Sequence, residues 1–393
     1  MDIRAILLIG GAAEDDSYTG GTVAGVPIAY LDVLGQPVLE RVLRRLRRSG
    51  VSQATLITDT PQQAEPFTRL GGFLSELPCV QAAGAQFWEA AERVFQQSAE
   101  EGADLVLTLR LGPYVEVDYD ELVQHHLDRR CPVTTTVDAA GCSVEVFALS
   151  ASCRLDAAAL FQNHLRQLRR ECVPFRFAGY VNRLETASDL RRLALDGLMR
   201  SNAICPDGVE LKPGIWVGPW ARIHHKARVV APAYIGAHAK VRASAVITRG
   251  SSVEHHAEVD CGTVVENATV LPFSRIGAGL DVMHSVVGFQ RIAHLALNSE
   301  VEISDARLVG MAPFSSLSRL AGSAAALFAF LPKQIYRGFL ATSHRPSAVT
   351  DPECLEERSV AALDTTVLEA SATGTEASEF PSNLAVARRY ADQ

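Results

Sequence analysis

Three sets of residues in this chain have the types and spacing for chemistry. Gly10 and Gly11 close the aliphatic run Ala5, Ile6, Leu7, Leu8 and Ile9. A glycine pair leaving a buried strand can bring backbone amides close to a phosphate. Glu14, Asp15 and Asp16 follow at once; they read either as metal ligands or as a solvated acidic loop. The histidines His224, His225, His238, His255, His256, His284 and His294 cluster in the later part of the chain. Imidazole exchanges a proton near neutrality, so one of them in a cleft could act as a general base. The other readings are outward-facing or stacked histidines, and adventitious metal binding.

The histidines sit within a period of six. Val217, Ile223, Val229, Ile235, Val241, Ile247, Val253, Val259, Val265 and Leu271 recur at every sixth position. Four places after each of the first nine stands a small residue: Ala221, Ala227, Ala233, Ala239, Ala245, Ser251, Ala257, Thr263 and Thr269. Neither a helix nor a flat strand demands a period of six, whereas a triangular coil of short strands does. Its aliphatic residue points inward and stacks on the next coil, and its small residue fits the corner. A looser pattern continues through Ile276, Val282, Ile292 and Val301, with Ile303, Leu308 and Val309 as the close. No insertion between hexads could form a catalytic loop, so the outer faces read as surfaces for oligomerisation.

The glycine pair belongs to a different architecture. Residues 5–9 are continuous apolar, as in a central parallel strand. Residues 37–49 read as a helix with Val38, Leu39, Val42, Leu43 and Leu46 on one face. Its other face, Arg41, Arg44, Arg45, Arg47 and Arg48, reads as solvated surface. Residues 53–58 and 104–108 read as strands and 87–101 as a helix, an alternation that means a doubly wound α/β sheet. A helix over 190–202 links this head to the coil.

Here the residues resemble a family. Ile6 to Gly35, then Gln36, Pro37, Val38, Leu39 and Glu40, is similar to the opening of the sugar-nucleotide pyrophosphorylases (NDP-sugar nucleotidyltransferases), which runs strand, GGxGTRL, PKPL, VLGKP, helix. Gly179, Tyr180, Leu184, Thr186 and Asp189 resemble that family's GYWxDIGTPxD stretch. The hexapeptide coil after such a head is also the family's habit. The resemblance covers roughly residues 3–303. It implies an α/β Rossmann-like nucleotidyltransferase domain over 1–200 and a left-handed parallel β-helix over 203–310.

The family's chemistry joins a nucleoside triphosphate to a sugar 1-phosphate, and needs Mg²⁺ on carboxylates with Arg and Lys on the phosphates. The match to GGxGTR reads Gly10, Gly11, Ala12, Ala13, Glu14, Asp15, with an acid where the arginine belongs. The PKPL match, Pro27, Ile28, Ala29, lacks the lysine. The two metal aspartates match Arg110 and Arg183. The segment carrying the sugar-binding EKP motif is missing between 131–137 and 143–149. These departures imply a pseudo-enzyme head with no catalytic residues and no metal. Gly10 and Gly11 remain as a possible nucleotide loop. Arg110 and Arg183 are either an anion site in place of the metal, or partners of local carboxylates.

Composition sets the outer bounds. A length of 393 residues allows two or three domains, and a net charge of −8 argues against nucleic acid as partner. Cys79, Cys131, Cys142, Cys153, Cys172, Cys205, Cys261 and Cys354 contain no C-x-x-C pair, which suits reduced thiols in a cytoplasm. The first apolar run is too short for a signal peptide. Residues 311–346 read as an apolar helical segment whose uncharged part, Ala321 to Leu331, is too short to span a bilayer. Its 317–339 stretch reads as a helix packed on the coil, or as one touching a membrane surface. Residues 347–393 read as a disordered acidic tail.

The expected function is a regulatory or scaffolding subunit of sugar-nucleotide or surface-polysaccharide biosynthesis, homo- or hetero-oligomeric through its β-helix, with a nucleotide or NDP-sugar as possible ligand. Two alternatives stand beside it. One is an active sugar-1-phosphate nucleotidyltransferase with a metal site from Asp118, Asp120 or the 14–16 loop. The other is a hexapeptide-repeat acyltransferase using one of the histidines.

Overall fold

A computed structural model describes residues 1–11, 21–23, 25–59, 77–165, 173–312 and 357–359. The chain separates into two units, Met1–Val360 and Ala361–Gln393; the second lies outside the described residues.

The head is built on a seven-stranded sheet. Its strands are β1 (Ile3–Ile9), β2 (Gln53–Thr58), β3 (Cys79–Gln81), β4 (Leu105–Arg110), β5 (Val133–Val137), β6 (Ser143–Ser150) and β7 (Phe175–Arg176). They lie in the order β7-β5-β6-β4-β1-β2-β3. β1 runs parallel to β2 and β4, and β6 runs antiparallel to β4 and β5. The continuous apolar run of β1 is explained by two cores. Ala5, Leu7 and Ile9 enter one, and Ile6 and Leu8 enter the other. A strand covered on both faces has no side for polar residues.

Helices α1 (Val38–Arg48), α3 (Tyr119–Arg129) and α5 (Ala187–Leu198) cover the first face, and α2 (Ala85–Glu100) and α4 (Ala157–Gln162) the second. α5 opens with a capping box, Thr186 with Asp189. The basic face of α1 is not simply solvated. Arg41 donates to the carbonyls of Val33, Leu34 and Cys205, and Arg45 to those of Val115 and Val117. Guanidinium forks here satisfy carbonyls that loops leave without partners.

The coil has three parallel faces. One stacks Ile215–Val217, Ala233–Ile235, Ser252–Val253, Thr269–Val270 and Ser285–Gly288. A second stacks Arg222–His224, Lys240–Val241, Glu258–Val259 and Ser274–Ile276. A third stacks Arg228–Val229, Val246–Thr248, Val264–Glu266 and Asp281–Met283. Val241, Ile247, Val253, Val259 and Val265 fill its interior, with Ala239, Ala245, Ser251, Ala257 and Thr263 fully buried at the corners.

The regular period breaks once within the predicted hexads. Val253 pairs with Val270, one residue before the expected Leu271. Val270 enters the coil interior, while Leu271 turns outward into the head core. A corner shortened by one residue flips each following side chain, because successive strand residues face opposite sides. Ile276 and Val282 continue the interior. Ile292 and Val301 instead form the antiparallel pair Arg291–His294 and Ser299–Glu302.

The tail strand Glu357–Ser359 pairs antiparallel with Arg222–His224, which corrects the disordered reading for those residues; the rest of 347–393 and the 317–339 segment lie outside the described residues. Cys79, Cys131, Cys142, Cys153 and Cys205 are free. Cys261 is disulfide-bonded, which corrects the expectation of reduced thiols throughout.

The head meets the coil at a hairpin, Asp32–Val33 against Gln36–Pro37. Its turn residues Leu34 and Gly35 both have positive φ, 53° and 91°, as a tight hairpin turn requires. Holding Leu34 there costs about 1 kcal/mol. Glu254 of the coil accepts from the amides of Leu34 at 3.1 Å and Gly35 at 2.9 Å, and two such bonds, at about 1 kcal/mol each, offset that cost.

Candidate functional site

The three parallel strands β1, β2 and β4 end on one crest, where an open α/β sheet places its ligands. There Gly10, Asp59 and Gly112 follow the three strands and line a cleft of about 160 Å³ together with Thr22, Ala29 and Leu184. Gly10 and Gly11 have positive φ, 98° and 69°. A β-carbon at Gly10 would meet the Asp59 carboxylate at 1.9 Å, and one at Gly11 would meet the Phe87 ring at 2.3 Å. Only glycines allow the chain this close to both neighbours.

The hydrogen bonds of Gly11 are made inside the protein. Its amide donates to Asp59 Oδ2 at 2.8 Å. Its carbonyl accepts from Trp88 Nε1 at 3.3 Å and from Arg110 Nη2 at 3.4 Å. The amide that would face a phosphate is thus occupied by a carboxylate of the same chain.

Arg110 closes this arrangement. It is buried, 5% exposed, with Nη1 at 3.9 Å from Glu145 Oε2 and its guanidinium 5.7 Å from the Trp88 ring centre. Cation–π contact is worth up to about 2 kcal/mol when desolvated. His164 stacks on the same indole at 4.5 Å. Arg183 is held elsewhere, half exposed, with Nη2 donating to Asp138 Oδ2 at 3.1 Å. The structure therefore brings Gly11 and Arg110 together and gives each arginine its own carboxylate.

A divalent cation does not fit these positions, because guanidinium groups offer donors and a like charge where a metal needs oxygen lone pairs. Asp118 accepts from the amides of Asp120 and Glu121 as the N-cap of α3. Residues 14–16 lie outside the described residues, among which no group of three or more His, Cys, Asp or Glu is placed to hold a metal.

No family model matches the chain, and no curated protein matches it.

Apart from His294, whose Nδ1 is buried without a hydrogen-bond partner, the histidines of the coil are stacked or tied. Trp220, His238, His256 and Phe273 form a ladder along one corner, with centroids 6.4, 4.6 and 4.9 Å apart and rings within 13° of parallel. All four residues have positive φ, so the same corner geometry repeats and aligns the rings. Burial pushes His256 down to about 4. His284 contacts Asn267 at 2.7 Å. His224 and His255 are buried, not outward-facing as the polar hexad positions suggested.

Asp59, Trp88, Glu145 and Asp138 were invisible as site residues in the sequence. None belongs to a short motif. The one available signal was Asp59 standing just past strand 53–58, at the crest shared with Gly10.

Proposed function

We propose that this chain is a catalytically degenerate NDP-sugar pyrophosphorylase-like protein, a regulatory or scaffolding subunit in sugar-nucleotide or surface-polysaccharide biosynthesis. In this reading the coil is left-handed and its outer faces join homo- or hetero-oligomers. The observation that carries the proposal is the closure of Gly11. Its amide is held by Asp59 and its carbonyl by Trp88 and Arg110. A cradle for a triphosphate needs free amides and cations turned toward the ligand, and this corner turns a carboxylate toward its cleft.

The cytoplasm is the compartment this reading proposes. The disulfide of Cys261 counts against that placement, since such bonds persist in oxidising compartments. Among the described residues no helix is long and apolar enough to cross a membrane.

The test is calorimetry of the purified full chain with nucleoside triphosphates and NDP-sugars, with and without Mg²⁺. Binding of an NDP-sugar without Mg²⁺ dependence, or no binding, fits a sensor or a scaffold respectively. Tight Mg²⁺-dependent triphosphate binding with pyrophosphate release overturns the proposal.

A further inference from the structure

The cleft at the crest encloses about 160 Å³, close to the roughly 150 Å³ of an apolar cavity that takes up benzene. Its walls are apolar, made by Ile9, Pro27, Ile28, Ala29, Leu111 and Leu184. Asp59 is the one charged side chain among the described residues that line it. Among those residues, the donor bonded to its carboxylate is the amide of Gly11, at Oδ2. A carboxylate offers about four acceptor sites on its two oxygens, so most of this one's capacity is left for a ligand.

The rest of the lining offers little to an anion. The amides of Ile28, Asp59, Leu111 and Gly112 donate to the carbonyls of Gly21, Ile9, Leu8 and Arg110. The Leu184 amide donates to Asn182 Oδ1, and Pro27 has no amide hydrogen. Arg110 ends β4 but turns toward the other core, where Trp88 and Glu145 lie against its guanidinium. Thr22 contributes a hydroxyl, which serves a ligand of either sign. The cleft is thus an apolar hole with one negative charge at an exposed rim.

We propose that this cleft binds a small organic cation: a protonated amine, amidine or guanidine on an apolar body no larger than a six-membered ring. The charged group bonds Asp59 at the rim, and the apolar body lies against Ile28, Ala29 and Leu184. A planar amidinium or guanidinium presents two parallel N–H groups to one carboxylate, and Asp59 keeps its bond to Gly11 meanwhile. The same carboxylate repels a phosphate. The charge and shape of the cleft alone carry this assignment, so loss of the pyrophosphorylase-like reading in the triphosphate titration leaves it standing.

The experiment compares three probes of one shape and different charge: benzamidine as the cation, benzamide as the neutral form and benzoate as the anion. Each is titrated into the full chain to roughly 20 mM, following the amide resonances of Gly10 and Gly112 with Leu46 as reference. Benzamidine is expected to saturate both resonances with an affinity at least about fivefold above that of benzamide. Benzoate is expected to leave them unmoved. Added salt should weaken benzamidine and not benzamide, because only the charge pair is screened. Asp59→Asn keeps an acceptor for the Gly11 amide and removes the charge, so it should bring benzamidine down to the level of benzamide. No saturable shift with benzamidine, equal binding of benzamide or benzoate, salt-independent binding, or unchanged benzamidine binding in Asp59→Asn overturns the assignment. The wild-type comparison and its salt series decide the matter even where the variant fails to fold.

Discussion

A β-carbon on Gly35 would sit 2.2 Å from the hydroxyl oxygen of Tyr234. The hairpin turn and the coil face are therefore fitted to each other at the scale of one methyl group. Gly35 also has φ of 91°, a conformation that costs alanine. Gly35→Ala is expected to lower stability by more than about 2 kcal/mol in urea denaturation. Tyr234→Phe removes a buried hydroxyl that has no partner. It is expected to leave stability level or raise it by about 1 kcal/mol, and to recover part of the Gly35→Ala loss in the double variant. Simple additivity would contradict the contact.

Arg191 of α5 is 3% exposed and inserts into a corner of the coil. Its Nη2 donates to Gly250 O at 2.7 Å, Asn267 Oδ1 at 3.2 Å and Arg249 O at 3.3 Å. Burial pulls its guanidinium down to about 10. Arg191→Ala removes one donor from three acceptors and is expected to cost about 3 kcal/mol. Arg191→Lys should recover little, because the lysine ammonium ends one bond short of the place of Nη2, which makes all three bonds. Thermal unfolding of the three proteins gives the order.

Two buried groups give opposite pH dependences. His126, between Thr134 Oγ1 and Ser150 Oγ at 2.8 Å each, is pushed down to about 4 by burial and then by His125. A depressed histidine stabilises above its unfolded value of 6.5 and loses that contribution as pH falls toward 4, about 3 kcal/mol in all. Glu254 is raised to about 8, so its contribution is complete below 4.5 and is lost as pH rises toward 8. Removing His126 as His126→Gln should flatten the acid side of the stability curve, and Glu254→Gln should flatten the neutral-to-alkaline side. Urea midpoints from pH 4 to 8.5 separate the two; a slope common to both variants would refute the assignment.

The cysteines can be read by labelling. With a maleimide under native conditions, Cys79, Cys142 and Cys205 should react readily, Cys131 more slowly and buried Cys153 only after unfolding. Cys261 should stay unlabelled until reduction. Reduction is expected to lower stability by about 2–4 kcal/mol, since a cross-link restricts the unfolded chain. Immediate labelling of Cys261 in protein kept from reductants would remove the disulfide.

The coil was legible because its constraint repeats. Each coil puts one aliphatic residue inward and one small residue at a corner, and Val241, Ala245, Ile247, Ala257 and Val259 occupy those places as read. The break at Val270 was not legible, because Leu271 is as apolar as Val270 and both are fully buried. Which of the two faces the coil depends on a corner shortened by one residue, which composition does not show. Likewise the arginines of α1 look like a solvated stripe until the carbonyls of Val33 and Val115 arrive from other parts of the chain.

The sequence by itself determined the alternation that makes the head, the period that makes the coil, and the cations at positions 110 and 183. These follow from local spacing and side-chain size. Only the tertiary structure decided what those cations touch, that Asp59 takes the amide of Gly11, and that Glu254 and His255 meet one hairpin from a coil corner far along the chain. Such pairings are set by which surfaces pack together. A carboxylate in the sequence carries no mark of the burial or of the distant amide that will determine its charge.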